Sequence, residues 1–301
     1  MILIFLSNVI FSLYLLSASY VTKVVEPLYF NAASLVIAGV IFSLFSCLKK
    51  YPAPNKKTLL MLAITLNALP YYLQLESFKF ATVKIVALIT SLTPFASGIL
   101  ERILRNYKFT KVQWFSMVFV FIATLFSSYF STPADNYLTT NLPENSTSLF
   151  PFQGELYAFI SVMLFAFSWI KVKKLVDKSY SPVTIFGFTM LMGGLICYVF
   201  GFVFDNENFT ASLNYTTLVS AFFLTVFGNG LYRLINAYLL KKYSATLIAM
   251  TKSTAPILIA LIQWIFLGKE LDLYFILASF VIIFALYVFI KEKDKQKLLN
   301  K

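Results

Sequence analysis

Very few residues of this 301-residue chain are equipped for chemistry. There is no histidine, and the two cysteines, Cys47 and Cys197, lie far apart inside apolar stretches. A zinc site, a histidine proton relay and a disulfide framework are therefore not expected. No Walker A sequence, GxSxG or HExxH occurs, which removes the common ATPase and hydrolase chemistries. What remains is charge in apolar surroundings. Lys252 sits in the middle of YSATLIAMTKSTAPILIALIQWIF, four residues before Pro256. A lysine at a bilayer centre costs roughly 2.5–3.5 kcal/mol on the mildest scales, so such an ammonium points to a cavity and an anionic ligand. The competing reading is a lysine satisfied by helix carbonyls or a neighbouring helix.

Polar side chains recur nearby at helical spacing. Thr225, Asn229, Arg233 (or Tyr232) and Asn236 share one face of a helix, and Asn67, Tyr71 and Gln74 share one face of another. Amides and phenols in such stripes hydrogen-bond a polar solute or tie one helix to the next. Arg233, about 10 Å from a helix end at 1.5 Å per residue, either faces the same cavity or snorkels. Ser91 and Ser253 add hydroxyls on small-residue ridges, and Tyr14 and Trp169 are aromatics that stack on a planar ligand or simply pack. Glu76 is the candidate for proton coupling; pairing with Lys79 or Lys84 at the interface is the alternative. The set implies substrate binding, with no catalytic cluster, metal or cofactor.

These residues need elements that hold them inside a membrane. The chain is 59% hydrophobic and 13% charged, with mean hydropathy +0.78, far from the ~25% charge of soluble domains. Its apolar runs reach the ~20 residues of a spanning helix and lack the alternation of a membrane barrel. The pattern predicts an all-α integral membrane protein with spans at 2–22, 28–48, 58–80, 82–104, 110–130, 153–173, 183–204, 216–240, 244–267 and 272–290. Met1 to Tyr20 has no basic leader or cleavage pattern and reads as a retained first span. The net charge of +12 is a matter of loops, not of a nucleic-acid surface. Alternate joints and the tail hold 19 of the 25 Lys and Arg residues, which predicts cytoplasmic termini and an external 131–152 linker.

Shifting the sequence by 162 residues lays Asn67 on Asn229, Lys79 on Lys241, Ser91 on Ser253 and Pro94 on Pro256 without a gap. Each half holds five spans, so the second copy must be inverted. The expected organisation is a first five-helix repeat at 1–130, a linker at 131–152, a second repeat at 153–290 and a basic tail at 291–301. The fourth and ninth spans, with their small-residue ridges, are expected to cross at the symmetry axis.

With Ser244, Ala245, Pro256 and the turn Leu267-Gly268-Lys269-Glu270 in its second half, and YSPVTIFGFTMLMGG at 180–194, the chain resembles the EamA type of the drug/metabolite transporter superfamily. LRNYK at 104–108 departs from that pattern. The second half is also similar, more distantly, to the S-adenosylmethionine/S-adenosylhomocysteine transporters of obligate intracellular bacteria. The resemblance implies a ten-helix secondary transporter, not an enzyme, in a bacterial inner membrane. Its partners would be a small-molecule substrate, lipid and a second copy in a homodimer, with no nucleic acid. The rivals are an exporter of amino acids or drugs and a non-transporting assembly protein.

Overall fold

The computed structural model describes residues 2–21, 27–81, 86, 89–130, 152–204, 228, 230–268 and 273–299. Over these residues the chain is helical and each expected span has its helix, or part of one. The first half contributes α1 (Ile2–Val21), α2 (Pro27–Leu48), α3 (Lys56–Leu62) running through a π-helical stretch (Ala63–Ala68) into α4 (Leu69–Phe80), α5 (Thr93–Arg105) and α6 (Lys111–Phe130). The second half contributes α7 (Gln153–Asp177), α8 (Pro182–Phe204), α9 (Arg233–Leu240), α10 (Ala245–Thr251), a 3-10 turn (Lys252–Thr254), α11 (Ala255–Leu267) and α12 (Leu273–Leu299). Of the linker expected at 131–152, residues 131–151 lie outside the described residues, as do Thr225, Lys84 and Asn229.

Among the described residues, five helices are long and apolar enough to cross a membrane, Pro182–Val203 and Leu273–Lys293 among them. Their outer faces carry bare apolar bulk: Phe202 is 77% exposed, Phe266 78% and Phe284 68%. Such a surface would aggregate in water and is ordinary against lipid. The last helix runs nine residues past position 290, so the basic tail continues α12 as far as Leu299.

Four of the expected spans are irregular, and the irregularities obey the repeat. Pro70, second residue of α4, has no N–H to give the turn before it, and the backbone there is π-helical over Ala63–Ala68. Residues 228 and 230–232, near the same position in the second half, are π-helical too. Ahead of Pro94 the helix is interrupted at Ser91–Leu92; ahead of Pro256 it tightens to a 3-10 turn at Lys252–Thr254. In a bilayer the freed carbonyls need donors. Ser168 Oγ donates to Thr65 O (2.8 Å) and Ser161 Oγ to Pro70 O (2.9 Å). Asn8 Nδ2 donates to Thr251 O (2.9 Å) and Ser12 Oγ to Ala255 O (3.2 Å).

Close helix approach needs small residues at the crossings. A Cβ on Gly39 of α2 would lie 2.3 Å from the Leu191 nitrogen of α8. On Gly193 it would lie 2.5 Å from Cβ of Asn67. These two glycines let α8 wedge between α2 and the π-helical stretch, which fixes the depth of Asn67.

Candidate functional site

A cavity of about 660 Å³ lies between the halves, with walls from α1, α4, α5, α7, the α9–α11 run and α12. Lys252 lines it, half-buried, at the start of the 3-10 turn. Proline and the tightened turn together set this geometry: the helix is broken where its lysine must turn away from lipid. The Lys252 ammonium lies 5.1 Å from the Trp169 ring centroid, 5.7 Å from that of Tyr232 and 6.0 Å from that of Phe11. Aromatic faces stabilise a cation at these distances. No carboxylate among the described residues lies within ion-pair distance of it.

Arg233, 4% exposed, begins α9 and does not reach for a membrane surface. It donates to Asn67 Oδ1 and, at 2.5 Å, to the Tyr71 hydroxyl, with its guanidinium 5.3 Å from the Tyr71 ring centre. Tyr71 and Arg233 are separated by 162 residues, the repeat offset, so two repeat counterparts touch each other near the symmetry axis. Asn67, fully buried, also donates Nδ2 to Thr189 O at 2.9 Å. Both ends of its amide are engaged by protein.

The residues picked from sequence thus divide by position. Lys252, Arg233, Tyr71, Gln74, Ser91, Ser253 and Trp169 line the cavity together. Asn67 stands behind Arg233. Asn236 faces α1, accepting from Ser7 Oγ at 3.1 Å and donating to Tyr232 O at 3.1 Å, and is not among the lining residues. Glu76 is half-buried in α4 and also outside the lining. Tyr14 belongs to α1, with its side chain outside the described residues, as is Asn229 altogether.

One polar group was not anticipated. Glu101 in α5 is 1% exposed and caps α10 across the two halves. It accepts from Ala245 N (3.0 Å), Thr246 N (3.1 Å) and Thr246 Oγ1 (2.7 Å). Arg105 lies 3.8 Å from Glu101 and 2.7 Å from Asp177, which also holds Lys173 at 2.9 Å. Lys173 donates onward to the Leu240 carbonyl. In the loop beside this cluster, burial and then the Glu101 charge push the Tyr107 phenol up, against the opposing pull of Arg105.

The model of the EamA-like transporter family matches residues 1–129 and 152–291. The chain belongs to the EamA-like transporter family. It is a multi-pass membrane protein of the drug/metabolite transporter type. This EamA-like transporter also shares its fold with a solved crystal structure that it matches at TM-score 0.74 and 14% identity, over 95% of this chain and 94% of that one. No curated protein sequence matches the chain. The local sequence around Glu101 reads as a basic surface, with Arg102 and Arg105 beside it. Its partner Thr246 lies 145 residues away, and only that distant contact distinguishes a buried cap from a solvated acid.

Proposed function

We propose that this transporter is a secondary carrier of a small anionic or zwitterionic metabolite, moved by alternating access between its halves, with Lys252 as the partner of the substrate's negative charge. One observation carries the reading: an ammonium in a large shared cavity, set among rings and, among the described residues, without a carboxylate at ion-pair distance. Together with Arg233 it gives the cavity lining a positive charge. A carboxylate or phosphate complements that charge, and a cationic drug does not. Gln74 and the Ser91 and Ser253 hydroxyls supply polar contacts, and the Trp169 and Tyr232 rings offer apolar faces to the rest of the solute.

An amino-acid-like solute satisfies this, including one bearing a nucleoside. S-adenosylmethionine exchanged for S-adenosylhomocysteine is the named example, with its carboxylate on Lys252 and its base against the rings. The basic joints support cytoplasmic termini in a bacterial inner membrane. With no histidine in the chain and Glu76 outside the cavity lining, exchange or facilitated diffusion fits better than proton coupling. The test is uptake into proteoliposomes of a panel of labelled amino acids, nucleotides and S-adenosylmethionine. Uptake and counterflow of at least one carboxylate- or phosphate-bearing member are expected; transport confined to cations that lack such a group would contradict the reading.

A further inference from the structure

Charged groups outside the cavity lining pack behind it at the end nearest the basic loops. Leu240 and Ala245 line the cavity on either side of the α9–α10 turn, and each is held from behind. Lys173 of α7 donates to the Leu240 carbonyl, while Glu101 of α5 accepts from the Ala245 N–H. Two further donors, the Thr246 N–H and hydroxyl, reach the same carboxylate. Three donors on one carboxylate satisfy it without water, and its charge faces the N-terminal end of α10, where the helix dipole favours an anion. The contact joins α5 of the first half to α10 of the second. Arg105–Asp177 joins the same halves one turn further out.

Opening the cavity to the basic face means parting α5 from α10 at this point. We propose that Glu101 is the gate residue of that face: its bonds to Ala245 and Thr246, backed by Arg105–Asp177, hold the chamber shut and break each time the carrier opens there. The repeat sharpens the inference. An offset of 162 sets Gln263 opposite Glu101, and Val83 and Lys84 opposite Ala245 and Thr246. An amide with one acceptor and no charge stands where the first half has a carboxylate. The carboxylate of this gate therefore has no counterpart in the sequence of the second half.

The proposal rests on alternating access but not on Lys252, and its test needs no substrate. Spin labels on Arg102→Cys and Lys241→Cys, both exposed positions, report the separation of the halves in nanodiscs, with Cys47 replaced by serine. Wild type should give one predominantly short distance. Glu101→Gln, isosteric but uncharged, should raise the ratio of long to short distances about tenfold, the scale of one lost charge-assisted bond. Thr246→Val should shift it the same way by less. Lys252→Met should leave it unchanged, which separates failure here from failure of the substrate reading. A distribution identical to wild type in the folded variants, even with lowered thermal stability, would make Glu101 a static cap and overturn the gate. If Glu101→Gln does not fold, Thr246→Val decides by the same criterion.

Discussion

Two intramembrane cations lie close to each other and do different work. Arg233 is fixed by the Asn67 carbonyl and the Tyr71 hydroxyl, whereas Lys252, among the described residues, lies against the rings of Phe11, Trp169 and Tyr232. Asn67→Ala strips an acceptor from a buried guanidinium and a donor from Thr189 O. It should lower stability by about 1–3 kcal/mol, seen as a drop in the thermal unfolding midpoint in detergent. Lys252→Met should instead leave that midpoint unchanged or raise it, because a desolvation cost disappears with the charge. Equal destabilisation by both variants would assign Lys252 a structural role. Lys252 was legible in the sequence because the cost of a buried charge depends on its immediate apolar surroundings. The Asn67–Arg233 bond was not, since it joins residues 166 apart in the chain. The polar stripes lie on the expected spans, but spacing alone does not tell cavity from helix contact: Asn236 turns toward Ser7 and stays outside the cavity lining.

Element by element, the spans are read well from sequence where hydropathy and proline decide and poorly where tertiary donors decide. Both edges of α2 and α8 and the end of α11 fall within a residue or so of expectation, because Pro27 and Pro182 begin helices and Gly268, at φ +64°, ends one. The 3-10 turn at Lys252 depends on more than Pro256, since Asn8 and Ser12 of α1 bind the carbonyls around it. Asn8→Ala should loosen this turn and cost about 1–3 kcal/mol, and it should weaken substrate affinity as well, because the turn aims Lys252. Thermal unfolding and a binding titration on the same sample check both effects. Gly193→Ala tests the wedge of α8 against Asn67. With a Cβ 2.5 Å from that of Asn67, it should destabilise by about 1–3 kcal/mol through overpacking. A wild-type midpoint in Gly193→Ala would mean that the helices have room to separate.

Across the whole molecule, the repeat seen at one fixed offset in the sequence reappears as paired π-helical stretches, paired breaks ahead of Pro94 and Pro256, and contact between the counterparts Tyr71 and Arg233. In the proposed mechanism that symmetry gives the carrier two halves that rock about a shared chamber, and the departures from it carry the function. Lys252 stands opposite Thr90, so one half alone brings the ammonium; Glu101 stands opposite Gln263, so one face alone brings the carboxylate. The central claim is that Lys252 is the chamber's partner for substrate charge. It is tested most directly by comparing proteoliposome binding and uptake for wild type and Lys252→Met, using a carboxylate-bearing solute that the wild type transports. Affinity should fall by roughly 10- to 150-fold, the loss of a charge-assisted hydrogen bond of about 1.5–3 kcal/mol, in a variant that inserts and unfolds like the parent. Unchanged binding and uptake in Lys252→Met would contradict it.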